Sequence, residues 1–109
     1  MPPDIRETDL RILRRVHPLA LERFCESVFG EIERAVRNSD RSRHERYLNV
    51  FDLMQRRNRR VERLFDDLRR SRALMMLAQI RSEGLLTEEE FSSFSQERRS
   101  AVEILLGAR

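Results

Sequence analysis

The chain has 109 residues, 39% of them hydrophobic and 38% charged, with a formal net charge of +3 at pH 7. That length suits one domain, and the apolar fraction excludes a disordered polar chain. No stretch approaches the roughly 20 apolar residues that span a bilayer, so no membrane segment is expected.

All 22 basic side chains other than histidine are Arg, a usage we read as coding bias of a GC-rich bacterium. Residues 1–40 hold 7 Arg against 8 acids, residues 41–83 hold 12 against 6, and residues 84–109 hold 3 against 5. A basic middle therefore lies between two mildly acidic ends. The opening Met1-Pro2-Pro3-Asp4 lacks the basic-then-apolar pattern of a signal peptide. The single cysteine, Cys25, can form no internal disulfide, which makes a reducing cytoplasm the expected setting.

The spacing predicts an all-α chain: a compact bundle of five or six helices near 5–15, 18–37, 43–70, 73–83, 88–94 and 96–106, in one domain. Asp4 and Glu7 fit a capping box for the first helix, with Leu10, Leu13 and Val16 on one side. Pro18 suits the first turn of a second helix, where its missing N–H costs nothing. Leu21, Phe24, Cys25, Val28, Phe29, Ile32, Ala35 and Val36 then cover an arc of about 140°, enough to touch more than one neighbour. Asn38-Ser39-Asp40 reads as a turn.

Ser42 and Glu45 form the next capping box. Tyr47, Phe51, Met54, Asn58, Val61, Phe65 and Leu68 follow in alternating steps of four and three, as in a heptad seam. One helix through to Glu83 would be about 60 Å long, too long for a compact domain, and the stripe loses phase at Arg72. A break near Arg69–Ala73 is therefore expected. Ala73–Ile80 is apolar nearly all round, the mark of a buried helix. Gly84 stops it, Thr87 with Glu90 caps a short helix, and Ser95 starts a last helix closed by Gly107. Residues 80–91 are locally similar to the Gly-x-x-Thr-Glu-Glu-Glu-Phe turn of short C-terminal oligomerisation segments of the SHOCT kind. The Lys and the Leu pair of that pattern are missing after Phe91, and a capped helix after a glycine stop writes the same letters, so no family is assigned.

For chemistry the sequence offers little. Cys25 has no basic neighbour or helix N-terminus to lower its pKa, so it reads as packing. His17 and His44 have no suggested partner and read as surface residues. There is no Cys-x-x-Cys, His-Glu-x-x-His, calcium loop or Gly-rich phosphate loop, so no catalytic residue, metal or cofactor is expected.

Two surfaces remain. Arg56, Arg59, Arg60 and Arg63 form one stripe about 100° wide, roughly opposite the seam, a candidate anion-binding face. Asp52, Asp66 and Asp67 stand close enough in sequence to neutralise several of them. The apolar run Leu74, Met75, Met76, Leu77 and Ile80 and the outer edge of the 47–68 seam, with Asn58 in it, are the candidate interface; a buried Asn there would fix register, and the plainer reading is an Asn at the core's edge bonded to water or backbone. The favoured expectation is a non-enzymatic interaction or assembly module that pairs with itself or another protein. The alternative is a small nucleic-acid-binding regulator that uses the Arg stripe.

Overall fold

In a computed structural model that describes residues 5–107, the chain forms five α-helices and no strand among those residues. They are α1 (Glu7–Arg37), α2 (Arg43–Phe65), α3 (Ala73–Ser82), α4 (Glu88–Ser92) and α5 (Gln96–Leu105), with a 3₁₀ turn at Arg70–Arg72. The all-α expectation holds. Asp4, the expected first cap, lies outside the described residues.

One boundary is corrected. The helices expected at 5–15 and 18–37 are a single helix of 31 residues that carries Pro18 in its interior. An interior proline costs about 3 kcal/mol, because it removes one hydrogen bond and crowds the carbonyl four residues back. Here Pro18 and Arg14 are both exposed, so that carbonyl lies on the solvent side. Leu10, Leu13, Val16, Ala20, Phe24 and Val28 are buried along the opposite stripe, before and after the proline. Their shared burial outweighs the local penalty.

The other helix starts follow the caps read in the sequence. Ser42 Oγ accepts from the Glu45 N–H at 3.1 Å, and Glu45 Oε1 accepts from the Ser42 N–H at 2.9 Å. Thr87 and Glu90 repeat the arrangement at 3.0 and 2.9 Å, and Ser95 Oγ accepts from the Arg98 N–H at 3.2 Å. The expected break falls slightly early, after Phe65. Asp67 takes a φ of 66° and Leu68 turns back onto the core. His17 Nε2 lies 2.9 Å from the Phe65 carbonyl oxygen, which ties the end of α2 to α1.

Gly84 ends α3 in a Schellman turn. The Leu85 N–H donates to the Ile80 carbonyl at 3.2 Å and the Gly84 N–H to that of Arg81 at 3.0 Å. Gly84 has a φ of +73°, which L side chains rarely adopt, and nothing crowds the position. Gly84→Ala is therefore expected to cost about 1 kcal/mol through backbone strain alone. A urea titration would show it as a lower midpoint with an unchanged slope.

The molecule is elongated, 52 × 26 × 24 Å with a radius of gyration of 16.9 Å, against about 13 Å for a compact domain of 100 residues. The reason is an uneven core. The first half of α1, the end of α2, and α3 to α5 enclose Leu13, Leu77, Ile80, Phe94 and Val102 at one end. The rest of α1 and α2 runs outward from this head as an antiparallel hairpin.

Two polar clusters lock the head. Asp9, 1% exposed, accepts from the Ser95 N–H at 2.8 Å and the Ser95 hydroxyl at 2.7 Å. Its neighbour Arg98 is 2% exposed, with Nε 3.9 Å from Asp9 Oδ2. Arg23 makes a fork to Glu90 at 2.6 and 2.9 Å and donates to the Leu85 carbonyl at 2.8 Å. This guanidinium, helped by the Thr87 N–H, pulls the Glu90 carboxyl down from 4.5 to about 2. Because the folded state depresses this pKa, its stabilisation is fully present above about pH 4.5 and is lost as the pH falls towards 2. Arg23 is partly solvated, so the effect is about 1–2 kcal/mol. The stability gap between the wild type and Glu90→Gln, read by urea at pH 6, should therefore nearly vanish at pH 2.

Candidate functional site: the open face of the hairpin

Two helices cannot enclose every apolar residue they carry, and this hairpin leaves one side uncovered. Between α1 and α2, Val28 and Leu53 are buried. Glu31 on α1 and Arg57 on α2 make a two-bond ion pair at 2.9 and 2.7 Å, which holds the Glu31 carboxyl below its usual range. Near the tip, Arg46 donates to the Val36 carbonyl at 2.7 Å. These contacts fix the two helices side by side.

Beside that seam lies a stripe of water-exposed apolar side chains. Phe29 is 58% exposed, Val36 50%, Tyr47 66%, Phe51 56% and Met54 52%. They flank a trough of about 560 Å³ lined by Val36, Arg43, Arg46, Tyr47, Val50, Phe51 and Met54. Met54 also borders a second groove of about 160 Å³ that reaches Cys25, Phe29, Ile32 and Asn58. Met54 lines both, so the two grooves lie side by side on this face.

The residues singled out in the sequence divide sharply. Of the expected interface run, Met76, Leu77 and Ile80 are enclosed in the head of a single subunit and Leu74 packs against that core; Met75 alone is exposed. The run is closed off because α1, α2 and α5 pack around it, which leaves Met75 as its one exposed side chain. Asn58 is exposed and lines the groove, at the position the seam gave it. Cys25 was expected to be core and is instead half-buried at the groove's edge. His44 is exposed in the first turn of α2.

The Arg stripe is partly neutralised. Arg56 bonds Asp52 at 3.1 Å and Arg60 pairs with Glu83. Arg59 and Arg63 are exposed and form no ion pair among the described residues. Asp67 turns instead to Arg69, at 2.8 Å, and Arg72, at 3.7 Å. The local break redirects it away from the stripe.

Phe29 and Val36 are the members of the face that periodicity did not single out as contacts. Their signal was present in the arc of about 140° on this part of α1, which is wider than one neighbouring helix can cover. Among the described residues there is no group of three or more His, Cys, Asp or Glu placed to hold a metal ion. No helix among them is long and apolar enough to cross a membrane. Comparison with protein-family models, with curated proteins and with solved structures finds no match to this chain.

Proposed function

We propose that the protein is a non-enzymatic assembly module that pairs with a second copy of itself through the open face of the α1–α2 hairpin, in a cytoplasmic setting. The observation that carries this reading is the stripe of Phe29, Val36, Tyr47, Phe51 and Met54, each half exposed or more.

The area argument is simple. Side chains of this size present about 150–250 Å² when fully open, so five half-exposed ones offer roughly 500 Å² per copy. That lies at the upper end of what a soluble monomer exposes. A symmetric pair would bury about 1,000 Å² from these residues alone, which reaches the lower bound for a specific interface. A second copy fits because its own face has the same uncovered stripe.

Sedimentation equilibrium between 1 and 100 μM tests the reading. The expected mass is about twice the 13.1 kDa of the chain; 13.1 kDa throughout would overturn it.

Nucleic acid is the second reading, supported by the exposed Arg59 and Arg63. Asp52 and Glu83 already occupy Arg56 and Arg60, which leaves two free charges of four. That reading expects low-salt binding that weakens by about one unit of log–log salt slope when Arg59→Glu is made. No binding at low salt would end it.

A further inference from the structure

We infer that the trough near the hairpin tip is a binding site for a free long-chain carboxylate, with the acyl chain laid along α2 and the head held by Arg43 and Arg46. This goes beyond the assembly reading and stands without it.

The residues that α2 gives to the trough are Arg43, Arg46, Tyr47, Val50, Phe51 and Met54. Their steps of three and one set them on a single helix face. Along that face the order is cationic first and apolar after. Both arginines lie in the first turn, at the tip, and the turns that follow contribute only apolar or aromatic side chains, joined by Val36 of α1. From Arg43 to Met54 the helix rises about 16 Å. That matches one extended acyl chain, which spans about half of a bilayer's hydrocarbon core. A volume of about 560 Å³ with an apolar lining and polar groups confined to one end has the form of a small-ligand site.

The charged end suits an anion. No carboxylate lines the trough. Arg43 is exposed and forms no ion pair among the described residues. The neighbouring acid, Glu45, is already engaged: it accepts from the Ser42 N–H at 2.9 Å and lies 3.8 Å from Arg41. Arg46 is anchored rather than neutralised. It donates to the Val36 carbonyl at 2.7 Å, and its buried Nε has no hydrogen-bond partner among the described residues. A carbonyl leaves the guanidinium charge uncompensated, so a carboxylate gains a charge-assisted bond there. The concave shape favours one free chain over the flat surface of a membrane. Because that chain covers Tyr47, Phe51 and Met54, it and a second copy of the protein exclude one another.

The chain has one Tyr and no Trp, so Tyr47 emission reports on the trough alone. The test is a titration with laurate below its micellar concentration. It uses Phe29→Glu, a change outside the trough that opens the proposed pair and leaves this site free. The expected result is a saturable change with a midpoint of roughly 0.1–1 mM, the range for one acyl chain of similar length leaving water. Adding Arg43→Gln should raise the midpoint about three- to fivefold. Dodecyltrimethylammonium, with the same chain and a cationic head, should bind at least fivefold more weakly than laurate. Equal midpoints for the two amphiphiles, no saturation with laurate, or an unchanged midpoint in the Arg43→Gln variant would each overturn the site. A response to phosphatidylglycerol vesicles without one to laurate would overturn it in favour of a membrane surface. All of these leave the pairing intact, since sedimentation reads it separately; a chain that sediments only as a monomer overturns the pairing and leaves this site standing.

Discussion

Phe51→Glu is expected to convert the proposed dimer into a monomer of 13.1 kDa that keeps its helical content. Phe51 is 56% exposed and borders the trough, so a carboxylate there costs the lone subunit little. Across a closed face the same change acts twice, once per copy. It removes the burial of about half a phenylalanine, roughly 1 kcal/mol, and it forces a charge out of water at several kcal/mol. Together these exceed 4 kcal/mol, so dimer affinity should fall about 1,000-fold or more. Far-UV circular dichroism should be unchanged, since Phe51 contributes no buried side chain to the head. A variant that stays dimeric would move the interface elsewhere.

The largest loss of stability is expected from Asp9→Ala. Asp9 sits in the first turn of α1 and accepts two hydrogen bonds from Ser95, the cap of α5. One carboxylate therefore serves two helix N-termini, where negative charge is favoured. It is also the buried counter-charge of Arg98, whose Nε lies 3.9 Å away and has no hydrogen-bond partner among the described residues, while its Nη2 sits 3.4 Å from the half-exposed Glu97. Truncation leaves the Ser95 N–H unpaired and Arg98 as a buried, poorly compensated cation, at a cost of about 3–5 kcal/mol. For a domain of this size that is a large share of the total. Adding Arg98→Met to Asp9→Ala should recover part of the loss, because an apolar side chain needs no counter-charge there. If the double variant is no more stable than the single one by urea denaturation, the penalty is not electrostatic.

Local signals were legible wherever local physics decides. The capping boxes at Ser42 and Thr87, the stop at Gly84 and the loss of phase before Ala73 all mark real boundaries. Pro18 misled because its penalty is local while the burial of Val16 and Ala20 on either side is tertiary. The run 73–80 was rightly read as buried, but its cover comes from the same subunit, through α1, α2 and α5, and α1 ends at Arg37 while α5 begins only at Gln96, both far from the run in sequence. The apolar surplus inferred from the sequence lies instead on the hairpin. There α2 is so charged that only Leu53, Leu64 and Phe65 are buried, and the seam from Tyr47 to Asn58 faces outward. Neither the Asp9–Arg98 pair nor the Arg23–Glu90 fork had a sequence signal, since each joins residues more than 60 positions apart.

A second copy seated on this face would cover Cys25, which therefore reports on the pairing directly. The thiol lies half-buried at the edge of the groove that Phe29, Met54 and Asn58 border. Its alkylation by a bulky maleimide under native conditions should be at least tenfold slower in the wild-type chain at 100 μM than in Phe51→Glu. Equal rates in the two proteins would show that the face stands open in solution and would rule out the pairing.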